Sequence, residues 1–143
     1  MVLGTKVVDD RKFLADMLKA WGERIAVSLD CKNGFVAQRG WAETSKVKGT
    51  DMAREFIAMG LKNIIYTDIA RDGTLAGPNM DGLKEILDAG DVHVIASGGI
   101  KGLDDIRALL ALKRKNLFGA ITGRAIYEGT LDIKEAFNLQ QQD

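Results

Sequence analysis

The sequence predicts an α/β protein of the TIM-barrel type, a half-barrel of about four βα units with parallel strands. Three observations lead to this prediction. Short apolar runs alternate with segments of helical periodicity. The runs are continuous rather than alternating, as is typical of parallel strands that are covered on both faces. Their first residues stand about 38, 29 and 26 residues apart, close to the roughly 30 residues of one βα unit.

Four strands are expected, and each one ends at a small or polar residue. They cover residues 25–30, 63–67, 92–96 and 118–122, and residues 1–5 are expected to form the end of one further strand. After the first strand, Asn33-Gly34 predicts a tight hairpin turn.

Apolar stripes at helical spacing predict the helices between these strands. The clearest stripes are Phe13, Leu14, Met17, Leu18 and Trp21, then Met52, Ala53, Phe56 and Ile57, then Leu103, Ile106, Leu109 and Leu110. For the third helix, Asp104 and Asp105 are expected in the first turn and residues 113–115, all basic, in the last, as the helix dipole favours. Thr130 is the expected N-cap of a final helix, and residues 140–143 are expected to fray.

Length and composition are those of one globular domain, residues 1–143. The chain has 46% hydrophobic and 28% charged residues, with 20 basic and 20 acidic side chains. A net charge near zero argues against binding to nucleic acid or to an acidic membrane surface. No apolar run approaches the roughly 18 residues of a membrane span, and no signal-peptide pattern begins the chain, so a cytoplasmic location is expected.

The single cysteine and the single histidine restrict the possible chemistry. One cysteine cannot form a disulfide framework or a metal cluster, and one histidine argues against a Ser-His-Asp triad. Cys31 is expected to fill a small buried space, and His93, in the middle of a strand, to be structural. Carboxylates, hydroxyls and backbone groups therefore remain as the candidate functional groups.

Ligands of parallel sheets meet the carboxyl ends of the strands, so these positions form the candidate site. Gly98 and Gly99 follow the third strand, and Gly123 and Arg124 follow the fourth. Backbone N–H groups at glycines approach an anion closely, and the first turn of a helix after Arg124 favours a phosphate. These four residues are the predicted phosphate site, and tight turns without a ligand are the alternative.

Asp30 and Thr67 end the first two strands. A carboxylate at the end of an apolar strand is costly unless it is bonded or used. Asp30 is therefore either a general acid or base, or a helix cap or loop hydrogen-bond acceptor. Thr67 is either a partner of a reacting hydroxyl group or an ordinary strand-end threonine.

Two loops complete the candidate site. Asp72 and Gly73 lie in a long polar loop after the second strand, which is either a lid or a turn that leads to a helix cap at Asn79. Trp41 lies in a loop over the mouth of the sheet, where its ring either stacks on a heterocycle or packs as a plug.

Five motifs appear together in the order and spacing of one known family. They are residues 27–30 (VSLD), 40–43 (GWAE), 65–74 (IYTDIARDGT), 96–100 (ASGGI) and 122–129 (TGRAIYEG). Over its whole length the chain resembles the C-terminal half of the phosphoribosylformimino-5-aminoimidazole carboxamide ribotide isomerases of histidine biosynthesis. The resemblance implies a (β/α)8 barrel of two similar half-barrels, each with a phosphate site, and a reaction without metal or cofactor.

The resemblance also implies a reaction and a role for each site residue. The reaction is an Amadori rearrangement, an aldose–ketose isomerisation of a substrate with a phosphate at each end. Asp30 corresponds to the general acid that protonates the ribose ring oxygen, and Thr67 to a hydroxyl group that supports the sugar. The remaining positions correspond to one phosphate site and to substrate contacts: Gly98, Gly99, Gly123 and Arg124 for the former, Trp41, Asp72 and Gly73 for the latter.

The family's other catalytic carboxylate lies on the first strand of the barrel, in the half that this sequence does not cover. The expected partner is a complementary N-terminal half-barrel or a second copy of this chain, because half a barrel exposes strand edges and an apolar interior. A non-catalytic phosphate-binding half-barrel that self-associates is the alternative function.

A related cyclase is disfavoured by Ala70, where that enzyme carries an aspartate, and by Gly40-Trp41. An isomerase that also serves tryptophan synthesis remains open.

Overall fold

In a computed structural model, which describes residues 1–38 and 40–140 (the side chain of Gln140 excepted), seven strands form one sheet. They are β1 (Val2–Leu3), β2 (Ala26–Lys32), β3 (Phe35–Gln38), β4 (Glu43–Lys48), β5 (Asn63–Asp68), β6 (His93–Ser97) and β7 (Leu117–Ile121). The helices are α1 (Lys6–Asp9), α2 (Arg11–Trp21), α3 (Gly49–Ala58), α4 (Met80–Leu87), α5 (Leu103–Ala111), α6 (Arg124–Tyr127) and α7 (Ile133–Gln140), with a 3₁₀ turn at Gly22–Arg24.

The sheet is mainly parallel and has the order β4-β3-β2-β5-β6-β7. β1 lies parallel to the start of β2, and β2, β5, β6 and β7 follow one another in parallel. Helices alternate with these strands, as in half of a (β/α)8 barrel. The predicted fold class is therefore confirmed, including the short strand at the start of the chain.

The predicted strands lie within one or two residues of the observed ones. Asp30 is not the last residue of its strand, because β2 continues to Lys32 and turns through Asn33 and Gly34 into β3. Both turn residues have positive φ, 53° and 82°, which confirms the tight hairpin. His93 begins β6 rather than lying in its middle. The second antiparallel strand, β4, was not predicted because its sequence is almost wholly polar and exposed.

Two details of the helix ends were predicted wrongly. α5 ends at Ala111, and Lys113 has a φ of 49°, so the three basic residues lie beyond the helix. Thr130 does not cap the last helix, because its hydroxyl group donates to the carbonyl oxygen of Lys101. The side chain of Asp132 instead accepts from the backbone N–H groups of Lys134 and Glu135. The tail at 141–143 lies outside the described residues, and α7 includes residue 140.

The core lies between one face of the sheet and the helices. Buried residues pair in register across β2, β5 and β6, with Val27, Ile64 and Val94 in one row and Leu29, Tyr66 and Ala96 in the next. They belong to the same buried cluster as helix residues Leu14, Phe56, Leu83 and Leu109. Alternate residues point to the opposite face, where Ile65 and Ile95 are half-buried and Phe118 is 65% exposed. The helices thus cover one face more completely than the other.

Gly49 provides a test of this packing. A Cβ atom at this position would lie 2.5 Å from the Sγ atom of the buried Cys31. We expect Gly49→Ala to lower the free energy of unfolding by about 1–3 kcal/mol, because the first turn of α3 would have to move away from the sheet. Urea denaturation measures this change. Gly4→Ala is the matched control, since nothing lies within 4 Å of its added Cβ atom. Equal midpoints for the two variants would contradict the prediction.

Candidate active site

One row of paired residues crosses the carboxyl edge of the sheet. Asp30 pairs with Thr67, Thr67 with Ser97, and Ser97 with Ile121. Asp30, Thr67 and Ser97 alternate with the buried core positions of their strands, so their side chains point to the face opposite the core. The structure therefore places the two predicted catalytic residues side by side.

Both carboxylate oxygens of Asp30 accept hydrogen bonds from side chains. The hydroxyl group of Ser28 donates to Oδ1 at 2.8 Å, and the indole N–H of Trp41 donates to Oδ2 at 2.6 Å. In the part of the chain that the structure describes, Asp30 caps no helix, and its loop contact is the hydrogen bond from Trp41. Ser28 was not predicted, although its position two residues before Asp30 places it on the same face of β2.

Trp41 lies over the carboxyl edge of the sheet without being buried. It is 47% exposed, and its backbone has a φ of 72°, which is rare for a large side chain. The preceding Gly40 also has positive φ, 63°. The loop thus bends sharply enough to bring the indole N–H onto Asp30, and the ring is not a core plug.

A cavity of about 240 Å³ lies beside this row, between the ends of β6 and β7 and the loop after β5. It brings together six predicted residues: Gly98, Gly99, Gly123, Arg124, Asp72 and Gly73. Its other lining residues are Leu75, Ser97, Ile100, Ile121 and Thr122. Asp30, Thr67 and Trp41 do not line it, but Ser97 belongs both to the cavity and to the row that contains Asp30 and Thr67.

The two glycines after β6 are required by the backbone. Gly98 and Gly99 have φ values of 96° and 85°, a region that L side chains rarely adopt. A Cβ atom at Gly98 would lie 2.8 Å from the carbonyl oxygen of Asp68, and one at Gly99 would clash with the carbonyl oxygen of Gly77. The turn after β6 therefore lies close to the loop after β5. The turn and the loop each form a wall of the cavity.

Arg124 links two walls of the cavity. Its guanidinium group donates to the carbonyl oxygen of Gly73 at 2.5 Å and to the carboxylate of Glu128 at 2.6 Å. It thus places a positive charge at the mouth of the cavity.

Thr122 is a lining residue that the sequence analysis missed. Its Oγ1 atom is buried and has no hydrogen-bond partner among the described residues. A buried hydroxyl group without a partner is unusual, so an incoming ligand with acceptor oxygens would satisfy it. The only signal in the sequence was its place directly before Gly123.

Cys31 and His93 lie away from the cavity. Cys31 is buried on the core face, where burial and then the charges of Asp30 and Asp68 raise the pKa of its thiol to about 12. His93 is exposed and stacks on the ring of Phe118 at 5.1 Å.

Within the described ranges no group of three or more His, Cys, Asp or Glu residues is arranged to hold a metal ion. No helix in these ranges is long and apolar enough to cross a membrane.

The fold and the site define a βα half-barrel protein with a cavity of about 240 Å³ at the carboxyl ends of its strands. A family model described as "Histidine biosynthesis protein" matches residues 1–132. The chain belongs to this family.

Several relatives carry the same name, 1-(5-phosphoribosyl)-5-((5-phosphoribosylamino)methylideneamino) imidazole-4-carboxamide isomerase. The chain is 51% identical over 136 residues to the one from Cellvibrio japonicus (strain Ueda107) and 52% identical to the one from Pseudomonas entomophila (strain L48). The relative from Marinobacter nauticus is 46% identical. Each match covers 95% of this chain and 56% of the relative, so the chain spans about half the length of the relatives it matches.

The raised pKa of Cys31 predicts a loss of stability in alkali. The folded state keeps the thiol protonated up to about pH 12, whereas the thiol of the unfolded chain ionises near its ordinary pKa of 9.0. The unfolded state therefore releases a proton first, and stability falls as the pH rises above 9, by about 1 kcal/mol per pH unit.

Urea denaturation between pH 8 and pH 10 checks this dependence. Cys31→Ala is the control, because it removes the thiol and keeps Tyr66, whose pKa is raised first by burial and then by the charge of Cys31. The wild-type chain should lose more stability over this range than the variant. Parallel curves would show that the thiol does not contribute.

Proposed function

We propose that this chain, as one domain, provides the C-terminal half of an aldose–ketose isomerase of histidine biosynthesis. Family membership and the shared name of the relatives support this proposal. The observation that carries it is the pairing of Asp30 with Thr67 at the carboxyl edge, next to the cavity between β6 and β7. An acid and a hydroxyl group beside an anion site suit a phosphorylated sugar.

The proposed reaction converts an aminoaldose into an aminoketose. Opening of the sugar ring needs a proton on the ring oxygen, and Asp30 is proposed to donate it as the general acid. A base must then remove the proton from C2 and a proton must be added to C1, so that C2 becomes the carbonyl carbon and C1 the amine-bearing CH₂ group without any external oxidant. Thr67, whose side chain points to the same face as Asp30, is proposed to hydrogen-bond a sugar hydroxyl group.

The cavity is proposed to hold one phosphate group of the substrate. The backbone N–H groups of Gly98, Gly99 and Gly123 and the guanidinium group of Arg124 supply donors of the kind that bind phosphate. Thr122 is proposed as an additional donor, because its buried hydroxyl group has no partner among the described residues. Asp72 and Gly73 form the opposite wall.

Trp41 is proposed to cover the heterocyclic base of the substrate. Its ring is half exposed over the carboxyl edge, and aromatic faces stack well on flat heterocycles. Its indole N–H donates to Oδ2 of Asp30, one of the two oxygens that could carry the transferred proton.

The sheet face that the helices leave less covered is proposed to receive a complementary N-terminal half-barrel. Phe118 and Ile121 on β7 are 65% and 45% exposed, and Val2 on β1, on the far side of the parallel strands, is also exposed. Apolar groups on an open sheet face indicate a partner surface. The second catalytic carboxylate is proposed to come from that partner.

A non-catalytic half-barrel that pairs with a second copy of itself is the second candidate function. The same exposed apolar residues favour it, because two copies would bury them against each other by two-fold symmetry. Sedimentation of the purified chain separates the candidates. A dimer that binds phosphate and shows no turnover, with or without an added N-terminal half, supports the second function.

The isomerase proposal predicts how activity depends on Asp30. We expect turnover of the aminoaldose when the chain is mixed with the N-terminal half of the Cellvibrio japonicus relative. Asp30→Asn should reduce kcat by about 10²–10⁴-fold, because an amide cannot donate the proton of a general acid. Binding of inorganic phosphate should be unchanged. Full activity in the variant would refute the role of Asp30, and an equal loss of phosphate binding would make Asp30 structural.

The phosphate site predicts a separate result for Arg124. Arg124→Ala should weaken the binding of inorganic phosphate by about 10- to 100-fold, since a charge-assisted hydrogen bond contributes about 1.5–3 kcal/mol. Isothermal titration calorimetry measures the affinity. Arg114→Ala is the control, because Arg114 pairs with Asp88 and does not line the cavity. Similar affinities for both variants would place the phosphate elsewhere.

A further inference from the structure

Asp68 is a buried carboxylate that the proposed chemistry does not use. It is the last residue of β5, follows Thr67 directly and is 5% exposed. Its Oδ1 atom accepts from the backbone N–H of Ala70 at 2.9 Å, and its Oδ2 atom accepts from the side-chain amide of Asn79 at 2.6 Å. No basic side chain in the described part of the chain pairs with it. Burying a carboxylate whose hydrogen-bond donors are all neutral costs free energy. This cost indicates that Asp68 has a role beyond packing.

The bond to Asn79 has a fixed direction. An ionised carboxylate only accepts hydrogen bonds, so it requires the NH₂ group of Asn79 to face it. The amide oxygen of Asn79 then faces the other way, where it accepts from the backbone N–H of Gly82 at 3.0 Å and caps α4. Asp68 and the N–H of Gly82 thus both require the same orientation of the capping amide.

The same two bonds close the loop at both of its ends. Ala70 stands at the start of the loop between β5 and α4, and Asn79 stands at its end. The backbone carbonyl of Asp68 also accepts from the N–H groups of Arg71 and Asp72. One residue thus organises the first turn of the loop and ties it to the first turn of α4.

This loop forms one wall of the phosphate cavity. Gly73 accepts from Arg124, and the N–H of Gly77, two residues before Asn79, donates to the carbonyl oxygen of Gly99 at 2.9 Å. Gly99 itself belongs to the opposite wall. A loop that loosened at Asn79 would release the contact at Gly77 and with it the spacing of the two walls.

We propose that Asp68 is a positioning residue for the phosphate site, acting through the orientation of the Asn79 amide. The proposal rests on the proposed function insofar as phosphate is the ligand of the cavity. The structural part of the proposal does not depend on the identity of the ligand. It states that hydrogen bonds donated from Gly82 to Asn79 and from Asn79 to Asp68 hold the wall of the cavity in place.

The direction of this chain allows an exchange experiment. Asp68→Asn keeps an acceptor for Ala70 but places a second NH₂ group against that of Asn79. Asn79→Asp places two carboxylates where 2.6 Å now separates donor and acceptor. The double variant Asp68→Asn/Asn79→Asp restores one donor and one acceptor, and an aspartate at the N-cap still accepts from Gly82.

We expect each single variant to bind inorganic phosphate about 5- to 10-fold more weakly, and the double variant to recover most of the affinity. Asp10→Ala is the matched control, because it removes the N-cap of α2, where Asp10 accepts from the N–H of Phe13 at 2.8 Å, at a distant site. It should lower stability and leave phosphate affinity unchanged. A loss of affinity in Asp10→Ala equal to that in Asp68→Asn would overturn the proposal.

Hydrogen exchange of the amides at Ala70, Gly77 and Gly82 tests the chain of bonds without any ligand. Exchange should quicken in both single variants and slow again in the double variant.

If the wild-type chain binds no phosphate, the proposed function fails, and the exchange pattern still decides the role of Asp68. Unchanged exchange in Asp68→Asn refutes it. Where the single variants do not fold, recovery of folding in the double variant supports the proposal, and a double variant that stays unfolded overturns it.

Discussion

The in-register pairing of the parallel strands is the constraint on which the candidate site depends. It sets Asp30 beside Thr67 and Thr67 beside Ser97 at one edge of the sheet. A slip of one residue would turn these side chains into the core and expose Leu29 and Tyr66 instead. Because core and site residues alternate along the same strands, the burial of the core is what holds the functional side chains in position.

The cavity depends on close contact between three loops. Gly98 and Gly99 bring the backbone after β6 against the loop after β5, and Arg124 ties the end of β7 to the same loop. Asp68 and Asn79 fix that loop to the sheet and to α4. The cavity is therefore formed by backbone geometry and hydrogen bonds more than by a cluster of charged groups.

The helices cover the two faces of the sheet unevenly. The parallel strands carry apolar residues on both faces, such as Ile64 on the core face of β5 and Ile65 on the other. In this chain the helices bury one face, and Phe118 on the other remains in contact with solvent and with His93. The apolar side chains on this face are therefore only partly covered within the described part of the chain.

The sequence by itself determined the order of the parallel strands, the hairpin at Asn33-Gly34 and the nine candidate site residues, because periodicity, turn chemistry and motif spacing are local properties. Only the tertiary structure decided that six of them line one cavity while Asp30 and Thr67 lie beside it. Only the structure shows that Ser28 donates to Asp30, that the buried hydroxyl group of Thr122 lacks a partner among the described residues, and that Asp68 accepts from Asn79. The hydroxyl group of Thr130 likewise donates to the carbonyl oxygen of Lys101, which is distant in sequence, instead of capping the last helix. Such contacts join residues far apart along the chain, and no local pattern records them.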